Sequence, residues 1–153
     1  MAYTVQLTVD SADPHVLADW WAETLRWQVE AQDEAFIRQM IAEGHATEAD
    51  TRVYRGSLVW REGAAILPQA DADSDAGPDA APVRGGLRMF FQQVPEAKTV
   101  KNRLHLDVRI GDDDPEQVRA ALVERGATVL HSGRQGPHTW VTMADPEGNE
   151  FCV

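Results

Sequence analysis

The chain has 153 residues, of which 43% are hydrophobic, and its 25 acidic against 14 basic side chains give a formal net charge of −11. That length and apolar share suffice for one ordinary domain or two small modules sharing a core, while the acidic balance argues against a sequence-independent grip on nucleic acid or an anionic membrane. No apolar run reaches the ~20 residues of a membrane span, the first residues lack the basic start and apolar segment of a signal peptide, and the single cysteine, Cys152, excludes an internal disulfide. The cytoplasm is the expected location.

Tyr3 to Asp10 alternates apolar and polar residues, as a half-buried strand does. Asp13-Pro14 then supplies an N-cap and a proline at the first helical position, and Val16, Leu17, Trp20, Trp21, Thr24 and Leu25 form the packing stripe of a helix. Trp20 and Trp21 are read as core. Trp27 to Ala31 is expected as a second strand, and Asp33 to Glu43 as a short helix with Phe36, Ile37, Met40 and Ile41 on one side and Gly44 as its stop. Ser57 to Arg61 and Ala64 to Leu67 read as two short strands around Glu62-Gly63. Residues 68–86, rich in Ala, Asp, Pro and Gly, read as an acidic loop. Asp71-x-Asp73-x-Asp75 is similar to the start of a calcium loop, but its glycine falls one place late, at Gly77, and Pro82 stands where a bidentate glutamate is required. A solvated loop is the better reading.

Leu87 to Val94 is a strand with Arg88, Phe90 and Gln92 on one face. Arg103 to Ile110 alternates strictly, with Leu104, Leu106, Val108 and Ile110 on one side and Arg103, His105, Asp107 and Arg109 on the other. The polar side suits the inner wall of a cupped, ligand-receiving sheet, although an ordinary sheet with one wet face alternates in the same way. Asp114-Pro115-Glu116-Gln117 repeats the earlier helix start, with Gln117 placed as in a capping box, and Val118, Ala121 and Leu122 continue the buried stripe to Gly126. Ala127 to Leu130, His138 to Ala144 and Asn149 to Val153 complete the strands, the last two joined by the turn Asp145-Pro146-Glu147-Gly148.

The halves repeat each other: Gln6 to Pro14 corresponds to His105 to Pro115, and each helix is followed by short strands. The two copies span 1–97 and 98–153, the first carrying the extra helix near residue 40 and the loop at 68–86. The second copy, with its His105-Leu106-Asp107-Val108 strand, its Asp-Pro-capped helix, Arg125-Gly126-Ala127-Thr128 and the closing run Asp145 to Val153, resembles the vicinal oxygen chelate superfamily, and within it the glyoxalase/bleomycin-resistance domains.

The resemblance implies an α+β fold, two βαβββ modules forming a cupped, mostly antiparallel mixed sheet with helices outside, together one domain. It also implies metal-ligand places on the first and last strands of each module, which fall on Gln6, Gln92, His105 and Cys152. Only His105 is an ordinary ligand, two places hold neutral amides, and a thiol stands where a carboxylate is usual; Glu150, on the same strand face as Cys152, supplies a carboxylate after a small shift in register. Against these roles stand a buried, inert Cys152, a neutral His105 in the wall, and Gln6 and Gln92 as hydrogen-bonding wall residues. Trp60 and Trp140 face the cup or the core. His15, His45, His131 and His138 receive no chemistry.

The expectation is therefore a metal-independent protein that binds a small aromatic or anionic molecule in a sequestering or resistance role, lined by Gln6, Gln92, His105, Glu150, Cys152, Trp60 and Trp140. A resident cofactor is not expected. One alternative is a lyase, isomerase or dioxygenase that holds a divalent metal on His105 with Glu150 or Cys152; another is a dimeric interaction protein, since related domains pair as homodimers.

Overall fold

The computed structural model describes residues 5–69 and 87–153; Tyr3, the acidic segment 70–86 and the calcium-like triplet lie outside them. The chain divides into two compact units, one ending at Pro95 and the other beginning at Glu96. Among the described residues there are three α-helices and mixed sheets, an α+β architecture, and no helix is long and apolar enough to cross a membrane.

In the N-terminal unit, β1 (Gln6–Ser11) leads into α1 (Pro14–Leu25), β2 (Gln28–Val29), α2 (Glu34–Ala42), a 3-10 turn (Glu48–Asp50), β3 (Thr51–Tyr54), β4 (Ser57–Trp60), β5 (Gly63–Leu67) and β6 (Arg88–Gln93). The main sheet has the order β1-β6-β5-β2, with β1 parallel to β6 and the other pairs antiparallel. Met89, Phe91, Ala64 and Ile66 are buried together with Leu17, Trp20 and Trp21 of α1, whose two indoles meet edge to face at 5.1 Å. Both tryptophans are thus core residues, as their helical spacing predicts.

The region 51–60 departs from expectation. Ser57–Trp60 does not pair with the strand that follows it; it pairs with β3, an element absent from the sequence reading, in a separate two-stranded sheet. The turn residues Arg55 and Gly56 both have positive φ, 49° and 86°, the backbone twist that closes a two-residue hairpin. Local closure by that turn outcompetes pairing across Glu62-Gly63. The hairpin is tied to α1 by the buried His15, whose Nε2 lies 2.8 Å from the Trp60 carbonyl oxygen, and by the Tyr54 hydroxyl donating to Asp19 at 2.5 Å.

In the C-terminal unit, β7 (Leu106–Asp107) is followed by α3 (Pro115–Glu124), β8 (Thr128–Gln135), β9 (His138–Ala144) and β10 (Glu150–Cys152). The sheet order is β7-β10-β9-β8, with β7 parallel to β10. First, fourth, third, second is also the order of the N-terminal sheet. The strand expected over Arg103 to Ile110 is only two residues of ladder, because β7 has a single neighbour, β10, which is itself three residues long. Leu104 is 63% exposed and lies before the paired segment, yet the alternation survives from His105 to Ile110, and the Val108 N–H donates to the Cys152 carbonyl at 2.8 Å. Conversely, β8 runs five residues beyond Leu130, since β9 offers a partner as far as the Gly136-Pro137 turn.

Both Asp-Pro starts cap as their sequence requires. Asp13 accepts from the N–H groups of His15 and Val16, and Asp114 from those of Glu116 and Gln117. The capping box at Gln117 does not form: its amide donates to the Asp114 carboxylate at 3.3 Å instead of reaching back to the backbone. Asp13 also binds Arg52 at 3.1 Å. Partial burial opposes its ionisation, but the Arg52 guanidinium and the two helix N–H groups outweigh this and hold its carboxyl below the usual 3.8.

A folded value depressed below the unfolded one stabilises the protein above about pH 4, and that contribution disappears as pH falls through the folded value. Asp13→Ala is expected to cost about 1 kcal/mol at pH 7 through the lost cap. Asp13→Asn keeps a capping oxygen and should mainly flatten the acid limb of stability against pH, as followed by urea unfolding between pH 2 and pH 7.

Candidate functional site

Parallel pairing of β10 with β7 places Cys152 beside Asp107, and antiparallel pairing with β9 places Cys152 opposite Thr142, which in turn faces His131 on β8. Paired residues project from the same side of a sheet, so Asp107, Cys152, Thr142 and His131 form one row across four strands. The opposite side carries the buried Phe151 and Met143. The polar row, with His105 and Arg109 two residues either side of Asp107, lines an open cleft of about 820 Å³ that also receives Lys101, His138 and Trp140.

Trp140 owes its position to Gly133, its partner across β8 and β9. A β-carbon at residue 133 would lie 2.2 Å from the indole, so the ring occupies the space where a side chain would stand. The same device recurs in the N-terminal sheet, where Phe90 covers Gly63.

Two placements within the cleft define its chemistry. The ligand atoms of His105, Asp107 and Cys152 all lie within 4.8 Å of one another, with His105 Nε2 3.5 Å from Asp107 Oδ1. The Thr142 hydroxyl is 3.6 Å from Cys152 Sγ. Electrostatically, Asp107 is the one acidic side chain among the described lining residues, whereas Lys101 and Arg109 are exposed and are ion-paired to no described acidic side chain.

The sequence-derived residues divide between the units. His105, Cys152 and Trp140 line the C-terminal cleft. Trp60 and Gln92 line a cleft of about 830 Å³ in the N-terminal unit, walled by Phe36, Met40 and Phe90. Gln6 is beside that cleft, its side-chain oxygen accepting from Arg88, which is also ion-paired with Glu30. Glu150 lines neither cleft. Its carboxylate accepts from the Asn102 backbone N–H at 3.0 Å and pairs with Lys98 at 3.2 Å. Burial works against its ionisation, but these donors prevail and hold its carboxyl below the usual value.

Donor chemistry tests the divalent ion that the resemblance implies. Gln6 and Glu150 already hold hydrogen-bond partners of their own, whereas His105 and Cys152 converge with Asp107, a residue outside the expected ligand set. An imidazole, a carboxylate and a thiol in one cleft fit a thiophilic ion, not one that seeks oxygen ligands alone. The signal for Asp107 was its place two residues from His105 on the same strand face. Lys101, His131 and His138 carried no comparable signal: the β8–β9 pairing brings in the two histidines, and Lys101 comes from the segment before β7.

A family model described as the glyoxalase-like domain matches residues 6–153. Among solved structures, the fosfomycin resistance protein FosX from Listeria monocytogenes has a TM-score of 0.57 at 8% identity, with 99% of this chain and 91% of that chain covered. FosX from Mesorhizobium loti has a TM-score of 0.56 at 9% identity, with coverage of 99% and 90%. A glyoxalase/bleomycin resistance protein/dioxygenase family enzyme from Burkholderia phytofirmans has a TM-score of 0.51 at 13% identity, with coverage of 97% and 94%. These likenesses establish the fold. No curated protein sequence matches the chain significantly.

Two predictions separate support from site. Glu150→Gln leaves the mostly buried Lys98 without its counter-charge and should lower stability by about 1–3 kcal/mol, whereas His105→Ala, removing a side chain 47% exposed, should change it by less than about 0.5 kcal/mol. Equal losses in chemical denaturation would contradict this division. Gly133→Ala should cost about 1–3 kcal/mol and alter tryptophan emission by displacing Trp140; the double variant Gly133→Ala/Trp140→Leu should recover most of the stability.

Proposed function

Because the chain belongs to the glyoxalase-like domain family of the vicinal oxygen chelate superfamily, we propose that it is a small-molecule-binding protein whose C-terminal cleft receives a planar anion in a sequestering role. The observation that carries this reading is the charge of the cleft. In a chain of net charge −11, a lining whose Lys101 and Arg109 have no acidic side-chain partner among the described residues, and which adds three histidines against the single acidic side chain of Asp107, offers two available cations, and Trp140 offers a flat apolar surface beside them. A cleft of this size takes a drug-sized molecule, with a few placed polar groups fixing its orientation. An adjoining cleft that shares Arg109 and Trp140 adds Arg134, which extends the cationic character around the indole; its other arginine, Arg119, is ion-paired with Glu116.

Catalysis through the ligand set implied by the resemblance is not part of this reading, since Gln6 and Glu150 are held by Arg88 and Lys98. Binding needs only the anion, the guanidinium and the ring.

The test is titration of chelator-treated protein with aromatic carboxylates and phosphonates alongside their neutral amides or esters, followed by tryptophan emission and melting temperature. The acids should quench saturably and raise the melting temperature, and their neutral analogues should not. Arg109→Ala and Lys101→Ala should each weaken the acids by roughly tenfold, about 1.4 kcal/mol. An equal response to neutral analogues, or unchanged affinity in both variants, would defeat the charge argument.

A further inference from the structure

We infer that the face of the C-terminal sheet opposite the polar row carries a second binding site, for a free aliphatic amphiphile with an anionic head, a fatty-acid-like carboxylate. The inference rests on that face and not on the planar anion proposed for the polar side.

Strand register builds the site. Val153 and Val141 exchange both backbone hydrogen bonds, at 2.9 and 3.0 Å, and Ser132 on β8 is the partner of Val141. The β7–β10 register, carried on by one residue, sets Val108 beside Val153. Val108, Val153, Val141 and Ser132 thus form a row across the four strands, projecting from the opposite side to the polar row. The next row on their own side holds Phe151 and Met143, both fully buried, whereas Val108, Val141 and Val153 are only half-buried.

The helix leaves this row open. The stripe Val118, Ala121 and Leu122 predicts a helix sealed along its length, but only Leu122 is buried; Val118 is half-buried and Ala121 exposed. Pro115 and Arg119, in the first half of α3, line a cleft of about 830 Å³ together with the three valines and Ile110. Branched aliphatic surface left open in this way is stabilised by an occupant that removes it from water.

Charge at the border selects the occupant. Arg109, Arg119 and Arg134 border the cleft, and no acidic side chain is among its described lining residues. Arg119 is paired with Glu116, and the Arg134 Nε–H donates to the Gly136 carbonyl at 2.9 Å. Neither Arg109 nor Arg134 is ion-paired to a described acidic side chain, so the border keeps a positive excess even with a carboxylate on Val153 counted against it. A guanidinium fork matches a carboxylate, and an aliphatic row beside such forks is complementary to a hydrocarbon chain that ends in an anion.

The test is isothermal titration calorimetry of the full-length chain with hexanoate, octanoate and decanoate, each below its micelle-forming concentration, and with decanol. About one molecule per chain is expected, with a negative heat-capacity change from buried apolar surface, and affinity should rise roughly tenfold for each two methylenes added. Ser132 is exposed, lies on the row and is absent from the lining of the polar cleft. Ser132→Phe should fill the groove and weaken decanoate by roughly tenfold or more, with an unchanged melting temperature. Arg134→Ala should weaken decanoate by roughly tenfold and leave decanol unchanged, whereas Lys101→Ala, which touches only the polar cleft, should leave decanoate unchanged. No heat with decanoate, equal affinity along the series, decanol bound as tightly as decanoate, no loss in Ser132→Phe, or an equal loss in Lys101→Ala would each overturn the site. So would a dimer in sedimentation that Ser132→Phe dissociates and that excludes decanoate, which gives the row to a second copy of the chain. The aromatic acids and Lys101→Ala report on the polar cleft, so failure of one reading leaves the other readable.

Discussion

In each unit the last strand lies between the first and the third, parallel to one and antiparallel to the other. The rest of each sheet depends on that insertion. In the C-terminal unit it is a ladder of two residue pairs, Phe151 with Leu106 and Cys152 with Asp107. Side chains alternate with a period of two, so a slip of one residue would bring Phe151 out to the cleft and turn Cys152 into the core. Complete burial of Phe151 and Met143 opposes such a slip, and hydrophobic packing on one side of the sheet thereby sets the donor row on the other.

Glycine performs a related task at both aromatic walls. Gly133 under Trp140 and Gly63 under Phe90 let a ring lie flat on the neighbouring strand, which gives each cleft an apolar surface without an added layer of side chains. The conformational cost of glycine in a strand is offset by cross-strand contact with the ring.

Charge is distributed with equal economy. Arg88 is held by Glu30 and Gln6, and Lys98 by Glu150 and the carbonyl of Val100. These cations support the structure. Lys101 and Arg109, close in sequence to Lys98, have no such partner among the described residues and face a cleft. The distinction is between a side chain whose charge is already satisfied and one whose charge remains available to a ligand.

Much of the architecture was legible in local patterns. Period-two alternation marked most strands, Asp-Pro marked the starts of α1 and α3, and Gly44 and Gly126 took the positive φ expected of helix stops. These features depend on residues within a few positions of one another, and backbone sterics and capping act over that range. The hairpin of β3 and β4 escaped because Arg55, not a customary left-handed residue, shares its turn with Gly56. The length of β7 escaped because a strand extends only as far as its neighbour pairs with it. The site divides in the same way. His105 was a candidate from its place on an alternating strand and Cys152 from the family resemblance, but the convergence of Asp107 with them, the diversion of Glu150 to Lys98, and the gathering of Lys101, His131 and Trp140 around one cleft were decided by tertiary structure. Those choices depend on which strand lies beside which and in what register, and the burial of distant side chains sets that.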